Sequence, residues 1–295
     1  MKRLSGTEIS KQIKSELKQE VISLKTKGIK PTLAVILVGD DPASAVYVNS
    51  KKKTCEELGF NSIERKMPQD TTQEKLLQVV RELNDDVTVN GILCQVPLPS
   101  HCNEQEVIQT ITPEKDVDCF HPYNFGLLAA GIPKFMPCTP FGILQILKRS
   151  DFETSGKNVV VLGRSNIVGR PLSILMSLKK WNSTVTVCHS RTKDLAGVCR
   201  SADILIAAIG KPNFVTAEFV KKGAVVIDVG INRIDDPTHP KGSRLVGDVD
   251  YHAIQNVAEA ATPVPGGVGP MTIAMLMYNT INAARFQAGL ERFDL

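Results

Sequence analysis

The chain is poor in aromatic residues: one tryptophan, four tyrosines and ten phenylalanines among 295 residues. It also lacks an arginine-rich arm and any basic face interleaved with aromatics, although its net charge is +4. A nucleic-acid binder is therefore not expected, because stacking platforms and phosphate-tracking cations leave both marks. No apolar run is long enough to span a bilayer, so no membrane role is expected. Cys-x-x-Cys is absent; Cys55, Cys94, Cys102, Cys119, Cys138, Cys188 and Cys199 stand singly, several of them in apolar runs. That pattern fits reduced thiols in a reducing compartment. The five histidines show no ligand spacing, so no metal is expected. Met1-Lys2-Arg3-Leu4-Ser5 lacks the apolar core of a signal peptide, and a cytoplasmic location is the expectation.

What is present is an alternation of strands and helices. With 42% hydrophobic residues the chain can fill two ordinary cores. Apolar, β-branched runs at 33–38, 91–95, 158–162, 184–188, 203–209 and 224–229 predict buried strands. A polar/apolar alternation at 61–67 predicts one more. Helical spacing places helices behind Ser5-Gly6-Thr7-Glu8, at 44–58, at 71–83 and near 104–110. Further helices are expected at 140–147, after Gly169, near 194–200, near 216–221 and over 271–288. Residues 120–140 read as a loop, and 235–243 as a surface excursion. Strand and helix in alternation imply parallel sheets with crossover helices. The domain boundary falls near residue 139, and the final helix is expected to return to the first domain.

Gly163-Arg164-Ser165-Asn166-Ile167-Val168-Gly169-Arg170-Pro171 follows one strand and opens a helix. Strand, glycine turn and helix together aim free backbone N–H groups at a phosphate. Gly163 permits the tight turn and Gly169 the close approach of helix and strand. At the end of the next strand stand Ser190 and Arg191, where a dinucleotide fold meets the adenosine ribose. An acid there would favour NAD; hydroxyl and guanidinium groups, joined by Arg164, match a 2′-phosphate and favour NADP.

Tyr47 and Lys51 are four apart and share one helix face, at the carboxyl end of a strand where α/β proteins place their sites. A desolvated lysine can shuttle protons. Gln95 ends a buried strand at the same sheet edge, and Asp118 lies in a loop able to reach it. An amide and a carboxylate there suit the donor-rich edge of a heterocycle. Short-chain dehydrogenases also use Tyr-x-x-x-Lys, but after the cofactor-binding start of the same domain; here the pair precedes the glycine loop by a whole domain. Three prolines and three glycines within 263–270 make a shaped loop with exposed backbone groups.

Taken together, Tyr47-Val48-Asn49-Ser50-Lys51, Gln95-Val96-Pro97-Leu98-Pro99, Pro113-Glu114-Lys115-Asp116-Val117-Asp118, Pro137-Cys138-Thr139-Pro140, the Gly163–Pro171 turn and residues 262–272 resemble one family. It is that of the bifunctional methylenetetrahydrofolate dehydrogenase/methenyltetrahydrofolate cyclohydrolases. The resemblance implies an N-terminal three-layer α/β domain, 1–138 plus 271–295, and a Rossmann-like NADP-binding domain, 139–270, flanking a cleft. It implies oxidation of 5,10-methylenetetrahydrofolate with NADP, NAD being the lesser candidate, and then hydrolysis to 10-formyltetrahydrofolate. Lys51 would be the acid/base group, Tyr47 would stack on the folate, Gln95 would tune Lys51 and Asp118 would hold the pterin. Pro265, Gly266 and Gly267 would line the folate site. Gly163, Arg164, Ser165, Val168, Gly169, Ser190, Arg191 and Ile231 would meet the cofactor. The resemblance further implies a homodimer. Cys119 departs from it, standing where glycine is usual. A shikimate-dehydrogenase-like enzyme and a non-catalytic folate binder are the competing readings; the Tyr47/Lys51 spacing and the 263–270 loop oppose the first, and the full set of Tyr47, Lys51, Gln95 and Asp118 the second.

Overall fold

The computed structural model describes the whole chain except Pro240 and Lys241, which lie within the 235–243 excursion, and the side chain of Ala43. In chain order the first part runs β1 (Lys2–Arg3), α1 (Gly6–Thr26), β2 (Thr32–Val38), α2 (Pro42–Leu58), β3 (Asn61–Met67), α3 (Gln73–Asp85), β4 (Gly91–Cys94), α4 (Glu104–Thr110) and α5 (Pro122–Ala129). There follow α6 (Cys138–Arg149), β5 (Asn158–Leu162), α7 (Gly169–Ser177), β6 (Thr184–Cys188), α8 (Leu195–Arg200), β7 (Ile204–Ala207) and β8 (Val225–Asp228). The chain ends with β9 (Asn232–Asp235), β10 (Ser243–Val246), β11 (Ala260–Ala261) and α9 (Val268–Gln287).

Two units divide the chain. One comprises Gln12–Cys138 and Ile273–Leu295. Its sheet is parallel, in the order β3-β2-β4. The all-apolar stretch of β2 is buried along its whole length, as a central parallel strand requires. The edge strand β3 carries Glu64, Arg65 and Lys66 outward, charges that discourage a further strand. The C-terminal helix α9 supplies Met275, Met277, Tyr278, Ile281 and Ala284 to this core, all buried. A helix apolar on nearly every side needs such a surround.

The other unit comprises Met1–Lys11 and Thr139–Thr272. Its six-stranded sheet is parallel throughout, in the order β1-β11-β8-β7-β5-β6. Met1–Lys11 was expected with the N-terminal domain. It falls here because β1 pairs with β11, Lys2 against Ala260 and Arg3 against Ala261. Both strands have two residues, too short to show a period in sequence.

Three other expectations shift. Residues 120–140 are not all loop: α5 forms behind His121, whose ring nitrogen accepts from Tyr123 N at 3.0 Å, with Pro122 in its first turn. The helix expected near 216–221 is a single 3-10 turn, Ala217–Phe219. The last helix begins at Val268, three residues early, because Pro270 is tolerated in a first turn.

Candidate active site

The lysine site lies wholly in the unit of the β3-β2-β4 sheet. Helix α2 starts from the carboxyl end of β2. Asp41 caps it by accepting from Ser44 N at 2.7 Å, Pro42 occupies its first turn, and Gly59 ends it in the left-handed conformation at φ 81°. Lys51 sits in the middle of this helix and is 8% exposed. Its Nζ donates to Gln95 Oε1 at 2.8 Å. Gln95 is the first residue past β4 and is held there by its own N–H on Ile36 O at 2.8 Å. Its Nε2 donates to Val96 O at 2.7 Å, which turns the amide oxygen toward the lysine. Tyr47 lies one turn earlier on α2 and is half-exposed.

Asp118 joins the pair as the nearby negative charge. Burial lowers the Lys51 ammonium from its ordinary value, and the charge of Asp118 is the largest opposing influence. Burial raises the Asp118 carboxyl, while Lys51 and a hydrogen bond from the Cys138 thiol pull it back. Burial holds Cys138 well above the ordinary thiol range and pushes Cys94 up to about 12. Both stay thiols.

The loop that carries Asp118 is pinned at several points. Lys115 is buried and its Nζ donates to Leu83 O, Asn84 O and Asp86 O at 3.0, 2.7 and 2.7 Å, capping the end of α3. Asp116 accepts from Phe120 N at 3.1 Å, His121 N at 2.9 Å and Asn124 Nδ2 at 2.8 Å. Asn279 of α9 donates through Nδ2 to Val117 O and to Met136 O, each at 2.7 Å. Lys115, Asp116 and Cys138 lie in motifs quoted from the sequence but had no role assigned to them there, and Asn279 was not singled out at all. Asn279 did leave a signal: with Thr280 and Asn282 it is a buried polar group in an otherwise apolar helix, and such groups require partners. Cys119 adopts φ 62°, the left-handed region that suits glycine, and its Sγ reaches Phe135 O at 3.5 Å.

The glycine turn lies in the other unit. Gly163 leaves β5 at φ 124°, and a Cβ built on it would stand 2.1 Å from Ala208 O. A Cβ on Gly169 would stand 2.1 Å from Gly163 O. Only glycine fits at either place, and the backbone is left bare for a ligand to approach. Ser165 Oγ accepts from Val168 N at 3.1 Å and from Gly169 N at 3.4 Å, capping α7 from within the turn. Arg164 and Ser165 are exposed and Val168 is half-buried. After β6 a tight turn forms, with His189 N on Thr192 Oγ1 at 3.0 Å and Arg191 N on His189 Nδ1 at 3.1 Å. It presents Ser190 and Arg191 to solvent. This bare turn with exposed guanidinium and hydroxyl groups fits a dinucleotide carrying an extra phosphate. Ile231, 45% exposed, follows β8. Pro265, Gly266 and Gly267 belong to this unit, not to that of Lys51. Their loop lies against the start of α1, where Thr7 N donates to Gly266 O at 3.0 Å.

Two family models match in succession. The catalytic-domain model of tetrahydrofolate dehydrogenase/cyclohydrolase covers residues 4–118, and the NAD(P)-binding-domain model covers 137–288. The chain belongs to the tetrahydrofolate dehydrogenase/cyclohydrolase family. The Bifunctional protein FolD of Acetivibrio thermocellus is 54% identical over 290 residues, which span 98% of this chain and 99% of that protein. The protein of the same name from Caldicellulosiruptor saccharolyticus is 56% identical over 285 residues, covering 96% and 100%. Among solved structures, the bifunctional FolD methylenetetrahydrofolate dehydrogenase/cyclohydrolase of Campylobacter jejuni superposes with a TM-score of 0.92 at 46% identity, covering 97% and 99%. The Trypanosoma brucei dehydrogenase-cyclohydrolase, solved with NADP and an inhibitor, gives 0.91 at 39% identity, covering 96% and 97%.

For a member of the tetrahydrofolate dehydrogenase/cyclohydrolase family, the two matched domains divide the chemistry as the residues do. The lysine cluster falls in the unit that holds the catalytic-domain match, and the glycine turn in the NAD(P)-binding match. Among the described residues no group of His, Cys, Asp or Glu is arranged to hold a metal ion. Nor is any helix among them long and apolar enough to cross a membrane.

Proposed function

We propose that the protein oxidises 5,10-methylenetetrahydrofolate to 5,10-methenyltetrahydrofolate with NADP, and then hydrolyses that product to 10-formyltetrahydrofolate. The observation that carries this reading is the buried Lys51 amine, held 2.8 Å from Gln95 Oε1 and charge-balanced by Asp118. Family membership supports it across both domains.

NADP, when bound, supplies the hydride acceptor. The hydride leaves a carbon that lies between two nitrogens, which share the resulting positive charge. That step needs orientation of the folate more than acid/base help. Asp118 is suited to orientation because a carboxylate accepts from the N–H groups of the pterin edge. Tyr47, half-exposed one turn before Lys51, offers a ring face to stack on.

Hydrolysis makes a different demand. Water adds to the methenyl carbon and gives up a proton, and a ring nitrogen takes one as its bond to that carbon breaks. Lys51 shuttles this proton. Its lowered pKa brings the neutral amine within reach, and Gln95 holds it in place without adding charge. Ser190 and Arg191 at the end of β6, with Arg164, support NADP over NAD, since none of them is an acid. Pro265, Gly266 and Gly267 are assigned to the folate on the family resemblance alone. The same resemblance supports a cytoplasmic homodimer, which sizing by light scattering would check.

The deciding experiment mixes the protein with 5,10-methylenetetrahydrofolate and either NADP or NAD. Reduced cofactor and methenyl product are followed together. Rapid reduction of NADP, with methenyl hydrolysed faster than in a protein-free control, is expected. Reduction with methenyl accumulating would remove the role of Lys51. Reduction of neither cofactor by the folded protein would overturn the reading.

A further inference from the structure

The strand order fixes where a dinucleotide must run. The ribose-phosphate residues Ser190 and Arg191 end β6, the glycine turn ends β5, and β7 and β8 lie next in the sheet on the far side. A dinucleotide with its adenosine at β6 and its pyrophosphate at β5 therefore places its other ring over the turns after β7 and β8. Those turns are Ile209-Gly210-Lys211 and Val229-Gly230-Ile231-Asn232.

Two buried carboxyl side chains, Asp228 and Asp248, lie beneath them, apart from both the lysine cluster and the glycine turn. Asp248 is fully buried. Its Oδ2 accepts from Ile209 N at 2.7 Å and Gly210 N at 3.0 Å. Its Oδ1 accepts from Lys211 N at 2.8 Å and Asn232 Nδ2 at 2.9 Å. Asp228, the last residue of β8, accepts from Gly230 N at 3.0 Å, Asp248 N at 2.9 Å and Val249 N at 3.0 Å. Among the described residues no lysine or arginine side chain hydrogen-bonds to either. The packing is tight enough to require glycine opposite each carboxylate. A Cβ on Gly230 would stand 2.3 Å from Asp248 Oδ1, and one on Gly247 would stand 1.7 Å from Asp228 Oδ2.

A carboxylate is the one side chain that satisfies four converging N–H donors, since it offers acceptors on both oxygens and no donor of its own. Asparagine of the same shape would turn an amide onto two of those donors. Asp248 bonds to the backbone of one turn and to the side chain of the other, so it sets both against the same point.

We propose that Asp248 is a positioning residue for the dinucleotide: through these four bonds it fixes the turns after β7 and β8 in the shape that receives the ring end of the cofactor. The inference rests on the reading of this unit as the NADP site. It places the residue outside the machinery of hydrolysis, which needs no dinucleotide.

The test is Asp248→Asn in the full-length protein, read in two assays. NADP affinity is measured by isothermal titration and by KM in the dehydrogenase reaction. Cyclohydrolase activity is measured on methenyltetrahydrofolate with no dinucleotide present. The expected result is NADP binding weakened by about tenfold or more, as unpaired buried donors imply, with hydrolysis within about twofold of the unsubstituted enzyme. A general loss of fold would depress both assays together. If Asp248→Asn does not fold, Asn232→Ala, which removes one of the four donors at a half-buried position, decides instead; the expected result is a several-fold rise in KM for NADP with hydrolysis intact. NADP binding unchanged in the variant that folds would overturn the inference. An unsubstituted protein that fails to bind NADP would sink the cofactor reading first, and this inference with it.

Discussion

Lys51 Nζ donates to Gln95 Oε1 across 2.8 Å, joining the middle of α2 to the residue that follows β4. The amide fixes the amine without stabilising its charge as a carboxylate would. Gln95→Glu would place a second negative charge beside the ammonium, in addition to Asp118. The lysine pKa would rise, and the acid limb of the cyclohydrolase pH profile would move to higher pH by about one to three units. A profile that stays in place would show that Lys51 does not set it.

Lys51→Ala is expected to cut cyclohydrolase activity by about 10²–10⁴-fold, the usual contribution of a positioned acid/base group. Folate binding, measured by fluorescence titration, should weaken far less, because Asp118 and Tyr47 remain. Equal losses in both measurements would mean that Lys51 binds the substrate rather than moving its proton.

Lys115 serves a different purpose from Lys51. It is buried against three carbonyls at the end of α3, three residues ahead of Asp118. Lys115→Met keeps the length and the apolar stem but leaves those carbonyls without their donor. The expected cost is about 1–3 kcal/mol of stability, read from urea denaturation. Cyclohydrolase activity should fall as well, since the loop holding Asp118 loses an anchor. A variant as stable as the original would show that water replaces the ammonium at no cost.

Burial pushes the Asp228 carboxyl up to about 7, against the pull of three backbone N–H groups. A carboxyl whose pKa is higher folded than unfolded contributes stability at low pH, and that contribution is lost as pH rises through the folded value. The unsubstituted protein should therefore lose stability through this group between about pH 4 and pH 7. Asp228→Asn has no such proton to lose. The melting temperature of the unsubstituted protein minus that of Asp228→Asn, measured from about pH 5 to pH 8, should fall as pH rises. A difference that does not fall would show that this carboxyl does not titrate in that range.

How far the sequence reached depended on whether a feature lay inside one element. The all-apolar stretch of β2, the four-residue spacing of Tyr47 and Lys51, and the strand-glycine-helix turn at Gly163 are local, and each follows from a backbone period or a steric limit. The alternation of such elements implied parallel sheets, and the structure has them. Features joining distant positions left no period to read. Lys51 and Gln95 are 44 positions apart, and Asn279 reaches Val117 across 162. The pairing of β1 with β11 rests on two residues in each strand, and with the bond from Thr7 N to Gly266 O it ties the N-terminal segment to the nucleotide unit. Asp116 and Lys115 look like ordinary loop charges until helix ends arrive beside them.

By itself, then, the sequence determined on which elements the candidate residues Lys51, Gln95 and Gly163 stand or border, because local spacing decides that. Only the tertiary structure decided their environment. Burial lowers Lys51, the Cys138 thiol supports Asp118, and Asp248 gathers donors from two turns. Each of these depends on what the fold places within a hydrogen bond's length, and desolvation acts on a group only once the rest of the chain has closed around it.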